Sequence, residues 1–416
     1  MIQEKPLTED SFERAKRAFF GTAKTAPAPN ASPAEHLKPP NAPLSRKVAA
    51  ASLARGWVNS VARSSPHVVS AIDPLQDSRW SALIANHPRA SVFHTPGWLE
   101  ALRRTYGFRP QAYTTSPSLG LLTDAFLFVP IRSWLTGRRI VSLPFSDHCA
   151  PLFSSPEALA SILCHLRKAL DRDKSKYLEF RPADAEFASQ AIQCGFEPAR
   201  SYYLHRVDLR PSLDDIFRSL DKDSVQRRIR RAERAELLEK CGRSEELLKG
   251  FYKLLIMTRR RHGVPPQPYS WFRNVLDCMG ELAEIRMVCA GKDAPAAAIL
   301  TLRFKNSVVY KYGGYDEKFK HLGVMSLLLW RAVENAKAKG ATEFDLGRSD
   351  ENNPGLVAFK DKWAKNPSRL VYWRYPALPL SSATEDWKRK GAQLLFARFP
   401  SSVLTAAGRM LYRHIA

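Results

Sequence analysis

Two short runs in this chain end alike. Tyr177–Asp184 reads YLEFRPAD and Glu343–Asp350 reads EFDLGRSD, and each closes the same order of predicted elements. In the first, three strand-like runs (Gln111–Thr114, Ala125–Trp134 and Arg139–Pro144) precede the loop Phe145–Pro151, a helix over Pro156–Arg172 and the strand Tyr177–Phe180. In the second, Glu284–Cys289, Ala296–Phe304 and Ser307–Gly313 precede a loop with Asp316, Lys320 and His321. A helix from Val324 to Lys339 and the strand Glu343–Leu346 follow. The apolar positions recur every second residue in the strands and at helical spacing between them. A duplicated order of this kind predicts an α/β protein made of two similar halves.

Length agrees, since 416 residues exceed one ordinary core. Residues 1–70 are rich in Ala, Pro and basic side chains, a composition that buries little, and are expected to form a disordered leader. The halves are expected at 71–211 and 212–376. Between the repeats lie two helical stretches, Ser212–Glu239 and Ser244–Arg261, and residues 377–416 read as a basic amphipathic tail. Helices are also expected over Asp77–Asn86 and Pro96–Thr105.

The formal charge of +23 makes the chain attractive to polyanions: RNA, anionic lipid headgroups or diphosphate-bearing metabolites. Charge alone does not choose among them. Six scattered cysteines without a C-x-x-C pair, and no clustered histidines, argue against a zinc site or disulfide framework and fit a reducing cytoplasm. Glu4, Glu9, Asp10 and Glu13 interrupt the region where a signal peptide would need an apolar core. No apolar run approaches the ~18 residues of a membrane span.

Several segments resemble one known family. They are Phe93-His94-Thr95-Pro96-Gly97-Trp98-Leu99, Leu143-Pro144-Phe145-Ser146-Asp147-His148-Cys149, Ile229-Arg230-Arg231-Ala232-Glu233 and Arg260-Arg261-His262-Gly263-Val264-Pro265. Phe344-Asp345-Leu346-Gly347-Arg348-Ser349 follows, and then Phe359-Lys360. In this order they resemble the FemAB-like proteins, which carry two tandem GNAT-type acyltransferase domains. The nearest resemblance is to members associated with exopolysaccharide and PEP-CTERM gene systems. It implies transfer of an acyl or aminoacyl group to an amine on a sugar- or peptide-linked acceptor. No cofactor is expected to be bound permanently, and acyl-CoA or aminoacyl-tRNA would be the co-substrate. Two departures bear on a peptidoglycan-bridge role. Nothing here sustains a long helical arm, and the Phe-Lys motif continues as Asp361-Lys362-Trp363-Ala364 where the bridge-forming members have Phe-Gly.

Acyl transfer to an amine needs a neutral amine, a polarised carbonyl and a held donor. Lys360, at the family's Phe-Lys position, is expected to stabilise charge on the reacting carbonyl or to hold an anionic acceptor. A solvated surface lysine is the plain alternative. Asp345 lies opposite Phe344 and Leu346 on its strand and either receives a proton from the amine or pairs structurally with Arg348. Arg348 is expected to bind substrate. Glu179, at the matching repeat position, reads as structural. Arg227, Arg231 and Arg234 share a helix face at spacings of four and three, which suits phosphate or is merely solvated. Asp147 and His148 follow the third strand of the first repeat, where His148 is either a base or a loop cap. His94 reads as packing. Lys320-His321-Leu322-Gly323-Val324-Met325 stands where a GNAT fold cradles pyrophosphate, so Lys320 and Gly323 are candidate donor-binding residues, although Met325 replaces a small residue. The plain alternative for that glycine is a simple helix start.

The expected function is N-acyl transfer in cell-envelope or exopolysaccharide biosynthesis, in the cytoplasm at the inner face of the membrane. The acceptor would be an amine-bearing sugar or peptide, lipid-linked in one version. Two alternatives stand beside it: tRNA-dependent aminoacyl transfer to a peptidoglycan precursor, and non-catalytic nucleic-acid binding on a degenerate GNAT scaffold. The tail either docks on the protein's own core or makes peripheral contact with an anionic membrane.

Overall fold

The structure, a computed structural model, describes residues 68–415 except 154, 184–185, 292 and 378–395. The expected leader before residue 68, Asp184, and the part of the tail holding Leu394 and Leu395 lie outside the described residues.

In chain order the first half contains β1 (Ser70–Ile72), α1 (Arg79–Asn86), α2 (Pro96–Tyr106), β2 (Gln111–Thr114), β3 (Phe126–Ser133) and β4 (Gly137–Val141). Then come α3 (Pro156–Asp173), β5 (Leu178–Phe180), α4 (Ala188–Gln193) and β6 (Glu197–Asp208). A connecting region holds α5 (Leu213–Ser219), a π-type turn at Lys222–Gln226, α6 (Arg227–Glu233) and β7 (Leu237–Gly242). The second half has α7 (Glu245–Arg261), α8 (Tyr269–Met279), β8 (Ala283–Ala290), β9 (Ala294–Phe304) and β10 (Ser307–Tyr315). It continues with α9 (Val324–Ala338), β11 (Glu343–Asp350), α10 (Pro354–Asp361) and β12 (Ser368–Tyr375), and α11 (Ser401–Ile415) ends the chain.

Local chemistry explains the helix starts. Thr95 and Ser155 cap α2 and α3 by accepting from Trp98 N and Ala158 N, and a proline occupies the first turn of each. Asn353 does the same for α10, accepting from Leu356 N at 3.2 Å ahead of Pro354.

All twelve strands join one sheet in the order β1-β2-β3-β4-β5-β12-β6-β11-β10-β9-β8-β7. The duplication is visible in its registers. β4 runs parallel to β5 with Val141 opposite Glu179, and β10 runs parallel to β11 with Val309 opposite Asp345. Glu179 and Asp345 therefore occupy matching positions. The halves also exchange strands: β6 leaves the first half to pair with β11, and β12 leaves the second to pair with β5. These two strands pair with each other at the centre.

The main core joins α1 and α2 to α7, α8 and the inner faces of β8–β10, around Phe93, Trp98, Phe251 and Trp271. A second core lies on the opposite face of the same strands, where α6 and α9 pack Ile229, Leu328 and Val333 against Ile299 and Phe344. α3 covers the first half by packing Leu163 and Leu166 together with Phe180 of β5.

Four sequence expectations need correction. Leu237–Glu239, expected as the end of a helical stretch, begins an edge strand, Leu237–Gly242, paired with β8. The strand expected to stop at Leu346 continues to Asp350, so Arg348 belongs to the sheet and not to a loop. Phe359 and Lys360, given no helix in the sequence reading, lie on α10. β6, β12 and α8 had no counterpart in the sequence reading.

α11, the described end of the tail, docks inward. Leu404 is fully buried, Tyr412 donates to Pro265 O at 2.9 Å, and Arg139 donates to His414 O at 2.9 Å. Among the described residues no helix is long and apolar enough to cross a membrane.

Candidate active site

The site starts from one irregularity in the sheet. β10 and β11 are paired only from Ser307 to Val309, opposite Glu343 to Asp345, although both strands run five or six residues further. Beyond Asp345 they separate. Each strand is also bulged at the fork: β10 slips between Tyr310 and Tyr312 against β9, and β11 slips between Asp345 and Arg348 against β6. Bulges re-aim side chains, and here they turn Lys311, Gly347 and Arg348 towards one point. Gly347 has φ 74°, a conformation glycine takes without strain.

A buried knot of charge sits at this fork. Lys360 is only 3% exposed, so it is not a solvated surface lysine. Its Nζ donates to Gly347 O at 2.6 Å and Arg348 O at 3.1 Å. Burial pulls its ammonium down to about 8, while Asp147 and Asp345 pull the other way. An ammonium has three N–H donors, and those two carbonyls engage two of them.

Asp147 arrives from the first half. Its Oδ1 lies 3.0 Å from Lys311 Nζ and 3.7 Å from Arg348 Nε. Burial raises the Asp147 carboxyl, but these two cations outweigh burial and hold it below the usual range. Burial lowers Lys311, whose ammonium also stands 5.1 Å from the Phe93 ring. Arg348 Nη1 donates to Tyr372 OH at 2.6 Å, and that hydroxyl donates to Asp147 O at 2.6 Å. The Arg348 guanidinium also lies 4.5 Å from the Tyr202 ring, so the exchanged strands β6 and β12 both hold it.

Asp345 is 2% exposed and accepts from Gly347 N at 2.6 Å. Its Oδ2 lies 3.8 Å from His148 Nε2 and 4.0 Å from Arg206 Nε. The expected pairing of Asp345 with Arg348 is thus replaced by His148 and Arg206, while Arg348 turns to Asp147. His148 is buried against Phe93, and its Nδ1 has no hydrogen-bond partner among the described residues.

A cleft of about 1420 Å³ opens beside the knot. It passes between the separated strands, because its walls come from both faces of the sheet. α7 contributes Arg259 and His262 from one side, and α6 with the start of α9 contributes Arg227, Arg231, Gly323 and Met325 from the other. Tyr310 and Phe359, each next to a lysine of the knot, line it as well. Its charged lining is Arg227, Arg228, Arg231, Arg259 and Lys320 against Glu317 and Asp350. Met325 lines this space without filling it.

Gly323 has φ 81°, and a Cβ there would stand 2.6 Å from Arg228 O, so close packing of α9 on α6 requires glycine. It is more than a simple helix start. Lys320 borders the cleft while paired with Glu317 at 2.7 Å. Arg231 donates to His321 O at 3.1 Å. Arg234 lies outside the large cleft and meets Arg227 and Arg231 in an adjoining one of about 650 Å³.

The expected site residues therefore fall into two neighbouring groups. Asp147, His148, Asp345, Arg348 and Lys360 form the knot, and Arg227, Arg231, Lys320 and Gly323 line the cleft. His94 is a packing residue, with Nε2 3.0 Å from Ala150 O. Glu179 is structural, clamped by Arg181 and Arg374. Lys311, Arg206 and Tyr372 are functional candidates the sequence reading missed. Lys311 sits between two tyrosines in a strand-like run, and no local pattern marks it.

Residues 221–361 match the family model described as an acetyltransferase (GNAT) domain. The crystal structure of FemX matches with a TM-score of 0.57 at 15% identity, covering 73% of this chain and 96% of that one. A conserved protein of unknown function from Bacteroides thetaiotaomicron VPI-5482 matches at 0.51 and 11% identity, covering 74% and 99%. A tandem GNAT protein from the clavulanic acid biosynthesis pathway matches at 0.49 and 12%, covering 76% and 99%. No curated protein matches the sequence. The forked parallel strands and the matched domain define a GNAT-type acyltransferase fold. The fold as a whole is similar to that of FemX, and the resemblance drawn from the sequence holds at the level of fold.

Proposed function

We propose that this protein is an N-acyltransferase that takes its donor into the cleft between β10 and β11 and transfers the acyl or aminoacyl group at Lys360. The carrying observation is a cationic cleft walled from both faces of the sheet, whose lining includes Tyr310 and Phe359, the chain neighbours of Lys311 and of the buried Lys360. The phosphates of the donor would lie among Arg227, Arg228, Arg231 and Arg259, with the first turn of α9 adding backbone N–H groups. The remaining N–H of Lys360 would face the carbonyl oxygen, where negative charge develops as the amine attacks. Asp345 would orient the amine and receive its proton, with His148 beside it. The amine nitrogen bonds to the carbonyl carbon, and the thiol or ribose hydroxyl of the donor departs with a proton.

Acyl-CoA is the first donor reading, because Met325 leaves the cleft open. Aminoacyl-tRNA is the second, favoured by the adjoining basic cleft of Lys222, Arg227, Arg230, Arg231 and Arg234, which extends the cationic surface beyond what one nucleotide needs. The acceptor is taken to be an amine-bearing sugar or peptide of envelope or exopolysaccharide biosynthesis. A lipid-linked acceptor fits the exposed Trp134, stacked edge-on against His414 of α11, with exposed Met410, Arg409 and Arg413 nearby.

Calorimetric titration with CoA and filter binding of charged tRNA distinguish the donors. Saturable binding of one, weakened at least tenfold by Arg227→Ala with Arg231→Ala, is expected. Binding of any nucleic acid with equal affinity, unaffected by Lys360→Met and without any transfer, would favour the non-catalytic alternative.

A further inference from the structure

Away from the site, α3 and the turn before β6 bring two cysteines together. Cys164 Sγ and Cys194 Sγ are 3.9 Å apart. Cys164 is exposed on α3, whereas Cys194 is 3% exposed at the end of α4. The pair is asymmetric in chemistry as well. A hydrogen bond between the two thiols, with Arg167 and Lys168 close by, holds the Cys164 thiol below its ordinary range. The same hydrogen bond, and burial, push Cys194 up. Arg167 is fixed at this spot: Nη1 donates to Cys194 O at 2.5 Å, and the guanidinium stacks 4.3 Å from the Tyr375 ring of β12.

We propose that Cys164 and Cys194 are a peroxide-responsive thiol pair, in which Cys164 is the attacking sulfur and Cys194 the resolving one. The oxidant is a hydroperoxide. The Cys164 thiolate attacks one peroxide oxygen, the O–O bond breaks, and an S–O bond forms. Sulfur gives up two electrons, and the peroxide leaves as water after taking a proton. Cys194 sulfur then attacks the sulfenic sulfur, the S–O bond breaks, and hydroxide departs with the Cys194 proton as a second water. The two sulfurs must approach by roughly 2 Å to reach bonding distance, within reach of side-chain rotation. The disulfide would tie α3 to the root of β6, the exchanged strand that carries Tyr202 and Arg206 to the knot.

The experiment treats the reduced full chain with hydrogen peroxide, blocks free thiols with an alkylating agent, and maps peptides without reduction. A peptide pair linking Cys164 to Cys194, lost on reduction, is expected, along with faster alkylation of Cys164 than of exposed Cys241 before treatment. In Cys194→Ser the same dose should leave Cys164 as a sulfenic acid trapped by dimedone. Full alkylation of both cysteines after peroxide, or linkage of either to a different cysteine, overturns the proposal. Wild-type mapping needs no variant, so misfolding of Cys194→Ser cannot rescue it.

Discussion

Replacing Lys360 by methionine should change activity greatly and stability at neutral pH very little. The lysine is 3% exposed, and its ammonium is lowered from 10.5 to about 8. Keeping it protonated in the folded chain at pH 7 therefore costs about 3 kcal/mol, at 1.36 kcal/mol per tenfold change in proton affinity. Methionine removes that cost. It also removes the hydrogen bonds to Gly347 O and Arg348 O, each worth about 1–3 kcal/mol when the donor is charged and the acceptor buried. The two effects nearly cancel, leaving a difference within about 1–2 kcal/mol. The pH dependence is diagnostic. Because the folded value lies below the unfolded one, the unfolded chain binds more protons between pH 8 and about 10.5, and wild-type stability rises with pH across that window. From pH 7 to pH 10 the wild type should gain about 2.5 kcal/mol relative to Lys360→Met. Urea unfolding of both proteins at the two pH values, followed by tryptophan fluorescence, measures this directly. A difference between the proteins that stays constant from pH 7 to pH 10 would refute a buried, charge-strained Lys360.

Other substitutions probe the neighbouring parts. Asp147→Ala leaves Lys311 and Arg348 without their shared carboxylate and should cost about 3 kcal/mol or more in urea unfolding at pH 7. Arg227→Ala with Arg231→Ala, both exposed, should leave Tm within a degree or two while weakening donor binding about tenfold to a hundredfold, an effect that shrinks at high salt. Gly323→Ala places a Cβ 2.6 Å from Arg228 O at a positive φ. It should destabilise by about 1–3 kcal/mol and weaken donor binding by shifting α6, as denaturation and calorimetry would report.

The repeat was legible because each of its strands alternates or runs apolar between turn residues, and its helices keep the 3.6-residue period. That pattern located β2–β5 and β8–β11 and the equivalence of Glu179 with Asp345. β6 and β12 escaped notice for a physical reason. Their sequences, EPARSYYLHRVD and SRLVYWRY, are dense in arginine and tyrosine. Tyr202, Arg206 and Tyr372 among them reach the polar knot, where the usual rule of apolar inside does not apply. Leu237–Glu239 looked helical because Leu and Glu favour helices, yet pairing with β8 overrode that preference. Lys360, Asp345, Arg348 and Asp147 could be nominated from short motifs. Their convergence with Lys311 and Tyr372 depends on two bulges and an exchange of strands that no local window contains.

The most direct test of acyl transfer at this fork is product formation from defined donors. Acetyl-CoA and aminoacyl-tRNA would each be incubated with amine-bearing sugar and peptide acceptors, with free-thiol release and acceptor mass as readouts. Acceptor-dependent transfer from one donor, falling about 10²- to 10³-fold in Lys360→Met, is the predicted result. No transfer from either donor class, or transfer at an unchanged rate in Lys360→Met, would contradict it.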